Sequence, residues 1–174
     1  MSVEQIRSQV IASIWQAIAQ SDVDLSALSQ QEQEKLVSKI ADNVLLTMDS
    51  VIGEVAKPQI TTESDDETIL WEGHPFLSLV ESYAITSERL KIVRGLVSRD
   101  IENFELIRVQ DLDLKQGVGE RMFGIGDIVV HGQDASEPRV VLRNIRKPEE
   151  VYEILRKAWL EARKRHGLQF REYM

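Results

Sequence analysis

Hydrophobic residues recur every three or four positions in the first third of the chain, which is the spacing of one face of an α-helix. The first such stripe consists of Val3, Ile6, Val10, Ile14, Trp15 and Ile18. The second consists of Leu36, Val37, Ile40, Val44, Leu45, Met48, Val51 and Ile52. Because the segment between the stripes is short, the pattern predicts an antiparallel helical hairpin over residues 1–58.

Polar and turn residues at the ends of these stripes predict where the two helices begin and end. Ser2 with Gln5, and Ser29 with Glu32, have the spacing of a capping box, in which each side chain bonds a free backbone N–H of the first turn. Gly53 and Pro58 bracket the end of the second helix.

From Thr68 to Ile145 the pattern changes to short runs of β-branched and aromatic residues separated by turn residues, which is typical of antiparallel strands. About seven strands are predicted, at residues 69–71, 79–86, 90–92, 99–104, 106–115, 128–130 and 139–143. The run 106–115 is the longest, and a change of phase at Gln110-Asp111 predicts a β-bulge there. Glycines 117, 119, 124 and 126 mark the next connection.

A final helix is predicted from Pro148, a residue that suits the first helical position, and Gly167 supplies the stop. Its apolar stripe consists of Val151, Ile154, Leu155, Ala158, Trp159 and Ala162. The basic run 163–166 lies at its C-terminal end, where helix capping and a partner site explain it about equally well. The fold class is therefore α+β, with an antiparallel sheet that must curl or stack to protect its edges.

The segments between and after these elements complete the domain organisation. Residues 59–66 are polar and acidic without periodicity, which predicts a linker to a second domain at 67–167. The tail 168–174 carries Leu, Phe, Tyr and Met together, a composition that is unusual for a disordered segment. We therefore expect the tail to dock, on its own domain or on another protein.

Several segments of the second domain follow one another in the order and spacing of a known family: Leu70-Trp71-Glu72-Gly73-His74-Pro75, Tyr83-Ala84-Ile85-Thr86 with Arg89-Leu90, Gly95-Leu96, Ile107-Arg108-Val109-Gln110-Asp111, Arg121-Met122-Phe123-Gly124-Ile125-Gly126-Asp127-Ile128 and the helix from Pro148. Through them the domain resembles the bacterial pleckstrin-homology-like (PH-like) domains over about residues 67–165. The resemblance implies a seven-stranded PH-like β-barrel capped by a C-terminal helix, and an interaction module rather than an enzyme. No ligand is general to the family, so it implies no binding residues, and some members form homo-oligomers.

Composition and charge exclude several classes of function. The 174-residue chain has no cysteine, which excludes thiol catalysis and disulfides. Its net charge of -8 disfavours electrostatic binding to nucleic acid and to anionic lipid. Up to Asp66 there are 11 acidic and 4 basic residues, so the excess lies in the N-terminal third. Without an apolar run of transmembrane length or the features of a signal peptide at the start, we expect a cytoplasmic protein.

Candidate chemical motifs are weak, and we expect no catalytic, cofactor or metal site. The glycine pairs lack the GxGxxG pattern and are assigned to turns. Asp111 and Asp113 share one strand face, which we interpret as solvated, and Asp65-Asp66-Glu67 is interpreted as a solvated turn. The histidines lack the spacing of metal ligands. Residues 74–78, the first hairpin loop, lack the lysines and arginines that phosphoinositide binding needs.

The sequence therefore favours a non-enzymatic interaction or scaffolding module that acts through protein–protein contacts and self-associates as a homo-oligomer. Two alternatives stay open: a peripheral membrane adaptor, and a small-ligand or catalytic domain. The helical hairpin could pack on its own barrel or on another chain. The candidate partner-binding residues are Trp15, Leu45, Met48, Arg121, Phe170 and Tyr173.

Overall fold

The structure, a computed structural model, describes residues 3–21, 23–55, 67–95, 100–133 and 139–167. The chain divides into two compact units, Met1–Val51 and Ile52–Met174. The described elements are α1 (Val3–Ala19), α2 (Gln30–Val55), β1 (Ile69–Gly73), β2 (Glu81–Thr86), β3 (Arg89–Arg94), β4 (Asp100–Glu105), β5 (Val109–Lys115), α3 (Val118–Met122), β6 (Ile125–Gly132), β7 (Arg139–Arg146) and α4 (Pro148–Arg165). The predicted cap at Ser2, the linker 59–66 and the tail 168–174 lie outside the described residues.

Two helices form the first unit, and polar contacts fix both the start of α2 and its position against α1. The Ser29 N–H donates to the Glu32 carboxylate at 2.8 Å, and the Glu32 N–H donates to the Ser29 hydroxyl at 3.4 Å. This confirms the predicted capping box. The guanidinium of Arg7 in α1 pairs with Asp42 of α2 at 2.7 Å and also donates to Ser38. A partly buried ion pair thus joins the two helices.

Seven strands in the described residues of the second unit form two antiparallel sheets, β1-β2-β3-β4 and β5-β6-β7. The pairing of β5 with β6 shifts register between Val109 and Asp111, which confirms the predicted bulge. The prediction that the longest strand starts at residue 106 is wrong, because Leu106–Arg108 form a 3-10 turn. That turn is the corner between the two sheets: Leu106 is fully buried, and its N–H donates to the Glu88 carbonyl at 2.9 Å.

A one-turn helix, α3, lies in the connection where the sequence predicted only glycine turns. The Glu120 carboxylate accepts the Gly117 N–H at 2.6 Å and so caps the helix. Gly124 then reverses the chain with φ +63°, a conformation that costs glycine little. Five residues are too few to give a helical period, which is why α3 was not predicted.

The core of the second unit lies between the two sheets and α4. Both sheets contribute fully buried aliphatic residues, such as Ile85, Leu90, Ile128 and Leu142. From α4 the buried residues are Val151, Leu155, Ala158, Trp159 and Ala162, which confirms the predicted stripe and the start of the helix at Pro148. The seven strands followed by one packed helix confirm the predicted α+β, PH-like architecture.

Candidate functional site

The Thr86 hydroxyl organises the turn between β2 and β3. It accepts the backbone N–H groups of Arg89 at 2.9 Å and Glu88 at 3.2 Å. It lies 2.7 Å from a Glu67 carboxylate oxygen, to which it can donate its own hydrogen. The turn that follows Tyr83-Ala84-Ile85-Thr86, one of the segments that resemble the PH-like family, is therefore fixed by the Thr86 side chain.

Glu67 brings a buried negative charge to the same turn. Its carboxylate lies 3.1 Å from the Arg89 guanidinium and 3.9 Å from the ammonium of Lys91, which is itself buried. Buried charges are tolerated when they are paired in this way. The prediction of a solvated turn at Asp65-Asp66-Glu67 is thus wrong for Glu67, because opposite charges on β3 lie beside it; Asp65 and Asp66 lie outside the described residues.

The basic end of α4 reaches the same turn from another element. The Arg165 guanidinium pairs with the Glu88 carboxylate at 2.9 Å and donates to the Ser87 carbonyl. His166 lies 3.3 Å from the same carboxylate. Arg163 lies over the Trp159 ring, 5.6 Å from its centroid. Much of the predicted basic cluster therefore ties α4 to the sheet, and Lys164 remains exposed.

The second sheet carries an acidic pair on the face turned away from the core. Asp111 and Asp113 are both exposed, as the alternation of β5 predicts. The His131 Nε2 atom lies 3.2 Å from the Asp113 carboxylate, and both side chains are more than a third exposed. Among the described residues, no group of three or more His, Cys, Asp or Glu side chains could hold a metal ion. The pair has the surroundings of a solvated surface contact.

A row of exposed apolar side chains runs along α2, and we call it the α2 ridge. Between 40% and 55% of each residue is exposed, although every one is aliphatic or methionine. Its members are Leu36, Ile40, Val44, Met48 and Val51. The adjacent row, Val37, Ala41 and Leu45, is buried. The predicted stripe of α2 is therefore two rows, one that is covered and one that is open.

The candidate partner-binding residues occupy different environments. Met48 belongs to the α2 ridge, whereas Leu45 is buried and Trp15 is half-buried. Arg121 is exposed on α3. Phe170 and Tyr173 lie outside the described residues. The other ridge residues belong to the predicted stripe of α2, in which the exposed and the buried rows were not separated. The signal that could have separated them is the spacing of four from Leu36 to Met48.

A second exposed apolar group lies on two connections of the second unit, and we call it the apolar rim. Its members are Leu79 and Val80, before β2, and Val118 and Met122 of α3. Val118 is 94% exposed. The rings of Phe76 and Phe123 pack 5.6 Å apart and join the two connections. Arg121 lies on the same short helix as Val118 and Met122.

The chain is similar to a known family model and to a solved structure. A family model described as "Bacterial PH domain" matches residues 75–159. A DUF1696-family protein with a pleckstrin-homology domain, from Shewanella loihica, has a similar structure with a TM-score of 0.45 and 7% sequence identity. The match covers 66% of this chain and 92% of that one. A search of curated proteins gives no match.

The seven strands and the helix α4 define the second unit as a PH-like domain. Residues 75–159 within it are similar to the bacterial PH domain family. Among the described helices, none is long and apolar enough to cross a bilayer. The PH-like fold is that of a binding or adaptor module, and the fold alone does not identify what is bound.

Proposed function

We propose that this protein is a non-enzymatic interaction module that acts through protein–protein contacts and self-associates through its N-terminal helices. The observation that carries the proposal is the α2 ridge, an uninterrupted apolar row on an otherwise acidic segment. Contiguous exposed apolar surface on a soluble protein marks an interaction site, because its burial is favourable by about 25 cal/mol per Å².

The dimensions of the α2 ridge suit a protein partner. From Leu36 to Val51 the row spans fifteen residue steps, or about 22 Å along the helix axis. A small ligand would need a concave pocket, whereas a straight row on a convex helix matches another helix or a flat surface.

The polar clusters of the second unit support a role without catalysis. Thr86, Glu67, Arg89 and Lys91 bond one another, and Arg165 pairs with Glu88. These side chains are used to hold the turn and α4 together. The exposed pair of Asp113 and His131 lacks the desolvated surroundings that tune a general acid or base.

The proposal is tested by sedimentation equilibrium on the full chain and on Val44→Glu, which puts a charge in the middle of the α2 ridge. Gln31→Glu adds the same charge in the first turn of α2, off the ridge, and is the matched control. We expect the wild type and Gln31→Glu to self-associate at micromolar concentration and Val44→Glu to be monomeric. A wild type that is monomeric at high micromolar concentration contradicts self-association. If all three proteins associate equally, the α2 ridge is not the contact surface.

A peripheral membrane adaptor is the second candidate, and the apolar rim is the observation that favours it. Exposed Val118 and Met122 beside Arg121 are the residue types that enter a lipid headgroup region. The net charge of -8 and the absence of Lys and Arg in residues 74–78 oppose it. We expect weak or no flotation with anionic vesicles at physiological salt. Strong flotation of the wild type that is abolished by Val118→Asp would favour the membrane-adaptor function over the interaction module proposed above.

A further inference from the structure

We propose that the tail 168–174 folds back over the start of β1 in its own domain. The side chains of Leu168 and Phe170 then cover the exposed pair Ile69 and Leu70. The composition of the tail predicts that it docks, and this inference names the surface. It concerns a different segment and a different surface from the proposed self-association, and it stands or falls independently of it.

Ile69 and Leu70 are adjacent apolar residues at the first two positions of β1, and they are 40% and 43% exposed. The pairing of β1 with β2 shifts register between Ile69 and Trp71, which makes Leu70 the extra residue of a bulge. In the described sheets β1 is an edge strand, so β2 is its only paired neighbour there. Covering this pair removes apolar surface from water, which is favourable.

The last turn of α4 is connected to the start of β1 by a short series of hydrogen bonds. The Arg165 guanidinium donates to the Ser87 carbonyl. The Ser87 N–H donates to the Thr68 carbonyl at 2.9 Å, and the Thr68 N–H donates to the Ser87 hydroxyl at 3.2 Å. Thr68 directly precedes Ile69 in the chain. The tail therefore leaves α4 close to the exposed pair.

Gly167 turns the chain back at the end of α4. Its φ is +71°, and its N–H donates to the Lys164 carbonyl at 3.2 Å. In helix ends of this type the residue after the glycine, when it is apolar, commonly packs against the last turn of the helix. Here that residue is Leu168, and the buried Ala162 belongs to the last turn. This ending directs the tail toward the domain.

Reach separates the start of β1 from the other exposed apolar residues of the second unit. The Lys147 N–H donates to the Gly124 carbonyl at 2.9 Å, so the α3 side of the apolar rim lies at the first turn of α4. The 18 residues of α4 span about 27 Å, whereas Phe170, three residues after the helix-ending glycine, extends about 10 Å. Ile101 pairs with Val93, at the end of β3 away from the β2–β3 turn.

The residue pattern of the tail matches this surface. Leu168 and Phe170 alternate with Gln169 and Arg171, so an extended tail has an apolar side and a polar side. Running along β1, it brings Arg171 toward Glu72, which is exposed and forms no ion pair with another described residue. Because the tail is tethered a few residues from the pair, its effective concentration there is in the millimolar range, above that of a separate micromolar chain.

Single cysteines test the inference, since the chain has none of its own. Ile69→Cys puts a thiol under the proposed position of the tail, and Val118→Cys puts one on the apolar rim, out of its reach. Each is combined in the full chain with Phe170→Asp, which removes the apolar contact. The matched control, Gln169→Asp, adds the same charge on the polar side of the tail. The rate of reaction with a maleimide is measured for every protein.

If the tail covers the thiol of Ile69→Cys for about four-fifths of the time, labelling is slowed about fivefold. We therefore expect Phe170→Asp to accelerate labelling of Ile69→Cys about fivefold and Gln169→Asp to change it less than about twofold. A chain that ends at Gly167 should label as fast as Phe170→Asp, which shows the effect without an added charge. The rate of Val118→Cys should be the same with every tail.

Equal labelling of Ile69→Cys with every tail would overturn the inference. Equally fast rates would mean that the pair is uncovered, and equally slow rates would mean that other residues cover it. Protection that is lost on dilution from about 100 µM to about 1 µM would also overturn it, because the tail of another copy would then cover the pair. Sedimentation equilibrium on the wild type decides the proposed self-association separately.

Discussion

Trp159 is the residue whose removal tests the packing of α4 most directly. The indole is 8% exposed and lies in the core between the helix and the sheets. Its Nε1–H donates to the Val109 carbonyl at 3.1 Å, next to the bulge that begins β5. One side chain therefore fixes the helix to the second sheet by both its volume and its hydrogen bond.

The expected cost of Trp159→Ala follows from these contacts. Removing a buried Trp side chain typically costs about 3–5 kcal/mol, because the lost apolar contacts leave a cavity that only partly collapses. The orphaned Val109 carbonyl contributes about 1–3 kcal/mol within that range if water cannot reach it. Trp159→Phe keeps most of the ring and loses the N–H donor, so we expect a loss of about 1–2 kcal/mol.

The assay is urea unfolding of the full chain, followed by far-UV circular dichroism, with the free energy extrapolated to water. Arg156→Ala is the matched control, since it truncates an exposed side chain of the same helix and should change stability by less than about 0.5 kcal/mol. A loss below about 1 kcal/mol for Trp159→Ala would contradict a central role of Trp159 in the core, because α4 would then have to pack through other residues.

Three further predictions test other parts of the fold. Residues 67–167 expressed alone should give a cooperative thermal transition, because the core cluster lies within them; a non-cooperative melt would contradict this. Thr86→Val should destabilise the full chain by about 1–3 kcal/mol in the urea assay, because two turn N–H groups and the buried Glu67 lose their partner, and no change would mean that the turn does not depend on the hydroxyl. The Ser29 hydroxyl, and to a smaller extent the Ser29 backbone N–H, donate hydrogen bonds that lower the pKa of Glu32 below its ordinary 4.5. The ionised Glu32 therefore stabilises the start of α2 above that pH, and this stabilisation is lost as the pH falls through the lowered pKa. Ser29→Ala should raise the Glu32 pKa in an NMR titration, and an unchanged value would contradict the cap.

The sequence predicts the long helices and the strands of this protein better than the short turns and helices that connect them. Pro148, the stripe of α4 and the bulge before Asp111 are local signals, and the structure confirms all three. The 3-10 turn at Leu106 was missed because its cause is long-range: the chain passes from one sheet to the other, and the partner of the Leu106 N–H is Glu88. The helix α3 was missed because it has only one turn.

The candidate site was predictable in location and not in detail. The stripe of α2 was visible as a helical face, and Met48 was among the predicted partner-binding residues. Which half of the stripe is covered depends on how α2 packs. In the structure Leu45 is buried, whereas Val44 and Met48 are exposed. Glu67 could not be assigned from its acidic neighbours, since Arg89 and Lys91, more than twenty residues later, create its environment.

We propose that the N-terminal helices hold copies of this protein together while the PH-like domain folds independently of them. Light scattering of the full chain and of a fragment that starts at Glu67 tests both parts of this proposal. We expect an oligomeric full chain and a monomeric fragment at the same high micromolar concentration. Two monomers would contradict self-association, and two equal oligomers would assign the contact to the PH-like domain instead of the helices.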